Sequence, residues 1–251
     1  MVTELSQELL LSQGRQDLES RLSYFLSVGG IAVVSGEPGV GKTLAVQAFV
    51  RSLGGASSEG SSRSIVTVPL SAPLGSLRAF LRALALGLGE RLAWTTPELL
   101  SEIQAVVAPW REAQKLLLVT LDEAQDLPQD VLSGLRNLLA TPLGEPLPVR
   151  ILLIGTGALP AHLRSQAMEP IAQRISVRVR LYGFTRVETA AFLQDLGDFA
   201  PQAQEILFQR SRAIPRILAA LARIALRDAQ QHSGAVTAQD VQAAVEEFDL
   251  R

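Results

Sequence analysis

Gly36-Glu37-Pro38-Gly39-Val40-Gly41-Lys42-Thr43 satisfies the pattern G-x-x-x-x-G-K-[ST], and its residue types suit one task. Glycines let backbone N–H groups curl around phosphate oxygens, and a helix starting at the lysine adds the partial positive charge of its N-terminus. Lys42 then reaches the β and γ phosphates, and Thr43 ligates magnesium. The run Gly36, Pro38, Gly39, Val40, Gly41, Lys42, Thr43 and Leu44 is assigned to nucleotide binding, with the side chains of Glu37, Pro38 and Val40 as chemically silent spacers. Asp122-Glu123, two adjacent carboxylates delivered by an apolar run from Leu116, form the second group. Asp122 is expected to hold magnesium through water, and Glu123 to polarise the attacking water as general base. Thr156 reaches the γ phosphate if its strand lies beside the one feeding the glycine loop. Arg174 stands just before a strand and is expected to point out of its own subunit into a neighbour's nucleotide, with Arg164 and Arg178 competing for that role. Pro215 fits a first helical position, which puts Arg216 at the start of a helix, aimed at the phosphates from a second domain.

The elements that position these groups follow from hydrophobic spacing. Leu18, Leu22, Phe25 and Leu26 recur at helical spacing until Gly29-Gly30 stop the helix, and Ile31–Val34 reads as a buried strand. A helix from Lys42 to about Leu53 leads into Gly54–Ser64, a flexible linker by composition, and a short strand Ile65–Val68 ended by Pro69. Helices are expected near Leu74–Leu92, Pro97–Trp110, Pro128–Leu139 and Leu159–Ser165, and strands at Leu116–Leu121 and Val149–Ile154. Ile175–Leu181 alternates apolar and polar residues as an edge strand does. Beyond Phe184 only helical patterns remain, around Arg186–Leu196, Pro201–Ser211, Pro215–Gln231 and Thr237–Phe248. This order predicts an α/β fold: a five-stranded parallel sheet flanked by helices, followed by a small all-helical lid domain. The expected division is a lead-in over 1–30, an α/β nucleotide-binding domain over 31–184 and the lid over 185–251.

Composition narrows the classes. With no cysteine and only His162 and His232, both read as incidental, a disulfide scaffold, a thiolate or histidine-rich metal site and thiol catalysis are excluded. No apolar run approaches the roughly 20 residues of a membrane span, and no signal-peptide pattern opens the chain, so a cytoplasmic protein without a membrane partner is expected. Net charge is −2, which does not announce a nucleic-acid binder. The charge is unevenly spread, however: Arg150 to Arg186 holds six arginines and one acid, whereas Glu98 to Glu145 holds eight acids and three bases, so faces of opposite sign are expected. Lys42 is one of two lysines among 23 basic residues, in a position that needs a compact ammonium. Arg78 and Arg82 share one helical face as a basic ridge, and Trp94 and Trp110 are read as packing residues.

Together and in this order the motifs resemble an AAA+ ATPase, over nearly the whole chain. In that resemblance Gly36–Thr43 is Walker A, Leu116–Glu123 Walker B, Thr156 sensor 1, Arg174 the arginine finger and Arg216 sensor 2. Finer features are similar to two related groups: Asp122-Glu123-Ala124-Gln125-Asp126-Leu127, Leu135-Arg136-Asn137-Leu138-Leu139, Gln173-Arg174-Ile175 and Ser211-Arg212-Ala213-Ile214-Pro215-Arg216. One is the transposition-regulator ATPases (phage Mu B protein, TnsC, TniB) and the other the ExeA-type secretion ATPases. The sequence departs from both at Ala213, where glycine is usual. ExeA-type proteins carry a transmembrane segment and a peptidoglycan-binding domain after the core, and this chain reaches Arg251 with neither, which favours the first group. The resemblance implies ATP and Mg²⁺ as cofactors, a homo-oligomeric ring or helical filament on duplex DNA, a transposase partner and control of transposition, with Arg78 and Arg82 as DNA contacts. The alternative is a scaffold ATPase of an envelope or secretion assembly that binds no DNA. A nucleotide switch with negligible turnover is disfavoured by the presence of both Glu123 and Arg174.

Overall fold

Continuous apolar runs become the central strands, and the alternating one becomes an edge. The structure, a computed structural model, describes residues 13–55, 64–90, 94–139, 146–230 and 234–249. Its helices α1 (Gln13–Val28), α2 (Lys42–Gly55), α3 (Leu77–Gly87), α4 (Thr96–Val107) and α5 (Gln129–Leu139) interleave with strands β1 (Gly30–Gly36), β2 (Ser64–Ser71), β3 (Lys115–Asp122) and β4 (Val149–Gly155). Two short helices, α6 (Ala158–His162) and α7 (Glu169–Ala172), precede β5 (Ile175–Leu181), and α8 (Arg186–Leu196), α9 (Pro201–Ser211), α10 (Pro215–Ala229) and α11 (Ala238–Asp249) complete the chain. The five strands form one parallel sheet in the order β2-β3-β4-β1-β5. β1, β3 and β4 are buried almost throughout, as strands covered on both faces must be, whereas β5 alternates between buried Val177, Val179 and Leu181 and exposed Ser176, Arg178 and Arg180.

Register decides which residues share an edge of the sheet. Gly30 pairs with Arg150 and Ser35 with Gly155, so β1 and β4 enter and leave the sheet together. Leu121 pairs with Leu153, and Ser71 with Asp122. The C-terminal edge of the sheet collects Gly36, Asp122 and Gly155; the N-terminal edge collects Gly30, Lys115 and Arg150.

The described chain divides into two compact units. Asp17–Gly36 and Val46–Arg180 form the sheet unit, whose core joins Ile31, Val33, Leu117, Val119, Ile151 and Leu153 of the strands to Phe80, Leu84, Leu99 and Leu135 of the helices. The helical unit comprises the described residues up to Gln16, Glu37–Ala45 and those from Leu181 onward. Phe184, Phe192, Leu193, Leu207, Leu218, Leu221 and Val241 fill its core, and Leu44 of the glycine-loop helix packs against them. Thr185 and Glu188 close a capping box that starts α8. Arg186 at the head of α8 bonds both oxygens of Glu205, and hydrogen bonds from Arg186 and Gln209 lower that carboxyl to about 2.

Four sequence expectations change. Pro69 does not end β2 but lies inside it, exposed and opposite Thr120; β2 is an edge strand, where the missing N–H costs no ladder bond. The helix expected from Leu74 to Leu92 is confined to Leu77–Gly87, started by the Ser76 side chain accepting from the Ala79 N–H. Trp94 is 81% exposed and is not a packing residue, whereas Trp110 packs against the core beneath the Lys115 ammonium. Gly54 and Gly55 close α2 and Ser64 opens β2; the rest of the expected linker, like His232, lies outside the described residues.

Candidate active site

The glycine loop takes the shape its composition calls for. Gly39 and Gly41 have φ of +88° and +91°, a region that costs L-residues about 1–2 kcal/mol. A side chain at Gly39 would be strained and also crowded, because its Cβ would lie 3.0 Å from Arg216 Cβ and 3.1 Å from Ile214 Cγ2. The loop ends in α2, where the Ala45 N–H donates to the Gly41 carbonyl (2.9 Å). Lys42 is buried, with its Nζ 3.0 Å from the carbonyl oxygen of Glu37 in its own loop. Arg216 is the second residue of α10, and its backbone N–H donates to the Gly39 carbonyl (3.3 Å) while its side chain stays exposed. The backbone of Arg216 and the phosphate loop thus meet within the helical unit. Arg15, absent from the sequence reading, is 3% exposed and donates to the Leu44 carbonyl (3.2 Å) one turn into α2.

The backbone just upstream of Arg216 explains the departure at Ala213. Arg212 and Ala213 have φ of +50° and +57°, the left-handed region that glycine adopts at least cost. Ala213 is held there by its neighbours: its N–H donates to Ser211 Oγ (3.1 Å), and its carbonyl accepts from the Phe184 N–H (2.8 Å). The turn therefore keeps its shape with alanine, at a cost in backbone strain.

In the sheet unit, β3 carries Asp122 and Glu123 out of the sheet's C-terminal edge. Asp122 Oδ1 accepts from the Glu123 N–H (2.9 Å), and Glu123 itself has φ of +51° and an exposed side chain. Thr156 follows the last residue of β4, and β4 lies beside β1. Gln125 links these groups. Its Oε1 accepts from the Thr156 N–H (2.9 Å), and its Nε2 donates to Glu123 Oε2 (2.8 Å) and Asp126 Oδ2 (3.0 Å). Gly155 makes room for this, since a Cβ there would lie 2.5 Å from Gln125 Oε1.

Arg174 lies at the other edge. Its carbonyl accepts from the Ile31 N–H (2.9 Å) at the start of β1, and its exposed side chain lines a 790 Å³ cavity together with Arg111, Lys115 and Arg150. Arg111 donates to the Pro146 carbonyl, Lys115 sits 4.9 Å above the Trp110 ring, and Arg150 donates to the carbonyls of Leu26 (3.2 Å) and Val149 (3.1 Å). The Arg174 guanidinium makes no such bond to a described residue. Arg164 is exposed after α6, and Arg178 is on the exposed face of β5. Of the two arginines of α3, Arg78 is exposed and Arg82 half-buried, opposite the buried Phe80, Leu81, Leu84 and Ala85.

A phosphate loop after β1, an acid pair after β3 and the strand order β2-β3-β4-β1-β5 define a family, and residues 26–163, more than half of the chain, match the AAA domain. The chain belongs to the AAA domain family. Solved AAA+ structures share its fold: the ORC2 protein of Aeropyrum pernix in ADPNP–ADP complexes (TM-score 0.67, 18% identity, 93% of this chain and 66% of that one) and Cdc6p of Pyrobaculum aerophilum (TM-score 0.67, 18% identity, 94% and 66%). The Thermotoga maritima RuvB Holliday junction branch migration motor aligns with TM-score 0.58 at 17% identity over 96% of this chain and 70% of that one. In sequence, 116 residues are 33% identical to General secretion pathway protein A of Aeromonas hydrophila, covering 42% of this chain and 21% of that protein. The chain thus spans about two thirds of its ORC2 and Cdc6p neighbours and a fifth of the secretion protein.

An AAA+ fold implies a nucleotide with a divalent metal, and the residues present fit both. The loop supplies backbone donors and a lysine, while Thr43 and Asp122 offer the hard oxygen donors that Mg²⁺ prefers. Among the described residues no cluster of three or more His, Cys, Asp or Glu forms a self-sufficient metal cage. Among the described residues no helix is long and apolar enough to cross a membrane.

Proposed function

We propose that this AAA+ protein hydrolyses ATP with Mg²⁺ and assembles through ATP on duplex DNA to regulate a transposase. The observation that carries the hydrolytic part is the end of β3, where Asp122 and Glu123 leave the sheet beside the strand whose last residue, Gly155, precedes Thr156. Bound Mg²⁺–ATP supplies the phosphoryl group and the charge that polarises it. Lys42 would meet the β and γ phosphates, Thr43 and Asp122 are the residues that would hold the metal, and the loop from Gly36 to Leu44 would enclose the phosphates. Glu123 takes the proton of the attacking water, Thr156 orients that water, and Arg216 adds charge to the phosphates. Arg174, at the opposite edge of the sheet from Asp122 and Thr156 and with no guanidinium hydrogen bond to a described residue, acts on the nucleotide of a neighbouring subunit. That role rests on a homo-oligomer, a ring or a filament, in the cytoplasm.

The DNA reading is supported by the resemblance to the transposition regulators and by a fold shared with a branch migration motor. Net charge is −2, so affinity has to come from assembly that aligns a basic face of each subunit, Arg78 and Arg82 on α3 being the assigned contacts. Anisotropy of a labelled duplex across a salt series, with ATP, ADP and no nucleotide, tests this. Binding should require ATP, and each neutralised phosphate should add about −0.9 to the slope of log K against log salt. Arg78→Ala with Arg82→Ala should flatten that slope and leave nucleotide affinity unchanged. A second reading, a secretion-assembly ATPase that binds no DNA, has the 33% identity to General secretion pathway protein A in its favour. Absent binding in all three nucleotide conditions would favour it, and equal binding in all three would overturn assembly on DNA through ATP.

A further inference from the structure

We infer that Gln125 is the positioning residue that orients the Glu123 carboxylate and ties it to the end of β4, a role that rests on the hydrolytic reading above. A base on an exposed loop gains nothing from its chemistry unless its oxygen is aimed, and about 1 Å of misplacement costs on the order of 10²-fold in rate. Glu123 is exposed and its backbone turns through φ +51°, so the fold around it fixes the residue's start but not its carboxylate. Gln125 supplies what is missing. The Thr156 N–H donates to Oε1 (2.9 Å), and a backbone N–H can only be met by the carbonyl end of the amide, so Nε2 is left facing Glu123 Oε2 at 2.8 Å. The amide therefore has one orientation, fixed by a strand end 31 residues away, and it grips one carboxylate oxygen while leaving Oε1 of Glu123 to accept a proton.

Two further features fit a positioned amide rather than an incidental contact. Residue 155 is glycine at the one point where a Cβ would press to 2.5 Å on Gln125 Oε1. Ala124 and Leu127, on either side of Gln125, are buried in the core cluster that also holds Leu121 and Leu153, so the backbone carrying the amide is anchored to the same strands. A single side chain thereby joins the Thr156 backbone to the Glu123 carboxylate.

The decisive variant is Gln125→Glu. It keeps the length, the packing and an oxygen acceptor for the Thr156 N–H, but removes the donor to Glu123 and sets a carboxylate against Glu123 and Asp126. If Gln125 were only a strut for β4, this variant would behave as wild type and only Gln125→Ala would be impaired. Steady-state kinetics, ATP titration and melting curves on wild type, Gln125→Glu, Glu123→Gln and the double variant separate the cases. The expected result for Gln125→Glu is a kcat lower by about 10²-fold, with KM, ATP affinity and melting temperature unchanged. Nucleotide recovered from rapidly isolated complexes should remain ATP. The double variant should be no slower than Glu123→Gln alone, because Gln125 acts through Glu123. Wild-type kcat in Gln125→Glu, or fully additive losses in the double variant, would overturn the role of Gln125 while leaving the ATPase reading intact. A wild-type protein that hydrolyses no ATP would overturn both.

Discussion

The two edges of the central sheet are built from the same strands yet carry opposite chemistry. Asp122, Glu123 and Asp126 cluster at the C-terminal edge with Gln125 and Thr156, and Arg111, Lys115, Arg150 and Arg174 line a cavity at the N-terminal edge. A parallel sheet makes this separation possible, because all five strands begin on one side and end on the other. Acids follow β3, whereas Lys115 and Arg150 lie at the starts of β3 and β4 and Arg174 just before β5. The edges also differ in how their groups are held. At the acidic edge a side-chain amide joins the groups to one another; at the basic edge three of the four cations are tied to carbonyls or a ring, and Arg174 is the exception.

The largest effect expected from breaking this contrast is at that exception. Arg174→Ala should lower ATP turnover by about 10³ to 10⁵-fold, the range of an arginine finger, without changing ATP affinity. Mixing it with inactive Lys42→Ala should restore part of the activity, since one subunit then offers an intact loop and its neighbour an intact arginine. No recovery in mixtures shown to co-assemble would remove Arg174 and leave Arg164 or Arg178 to be tried. Arg150 provides the internal comparison on the same edge. Its guanidinium bonds two main-chain carbonyls, so Arg150→Ala should cost about 2 kcal/mol of stability in denaturant melts, with turnover per folded molecule unchanged; a selective loss of kcat would make Arg150 part of the machinery. A smaller change outside both edges calibrates the scale. Ala213→Gly should raise stability by about 1 kcal/mol by relieving φ of +57°, and a lower melting temperature would show that the Ala213 methyl packs well enough to outweigh the strain.

What the sequence disclosed, and what it hid, follows the range of the interactions involved. The phosphate loop was legible because its glycines, lysine and threonine act through the backbone of one continuous turn. The strands were legible because burial on both faces demands unbroken apolar runs, as in Leu116–Val119, and burial on one face demands alternation, as in Ile175–Leu181. Ala213 was visible as a departure, and its positive φ supplies the reason glycine is usual there. Gln125 was read only as part of a motif, since its partners include a backbone N–H 31 residues away that no local pattern encodes. Arg15 was missed for the same reason: its partners, the carbonyls of Leu44 and Ala45, lie 29 and 30 residues on. The expectation for Pro69 failed because a proline ends a central strand but not an edge one, and Trp94 failed because a tryptophan beside a helical pattern carries no signal of which way it faces.

The central claim is that the acid pair after β3 performs hydrolysis while the loop after β1 binds. Quenched single-turnover hydrolysis, run with ATP titration on the same preparations of wild type, Lys42→Ala and Glu123→Gln, tests it most directly. Glu123→Gln should bind ATP as wild type does and convert it to ADP more slowly by about 10² to 10⁴-fold, whereas Lys42→Ala should fail at the binding step. Hydrolysis by Glu123→Gln at the wild-type rate, or wild-type ATP affinity in Lys42→Ala, would contradict the account.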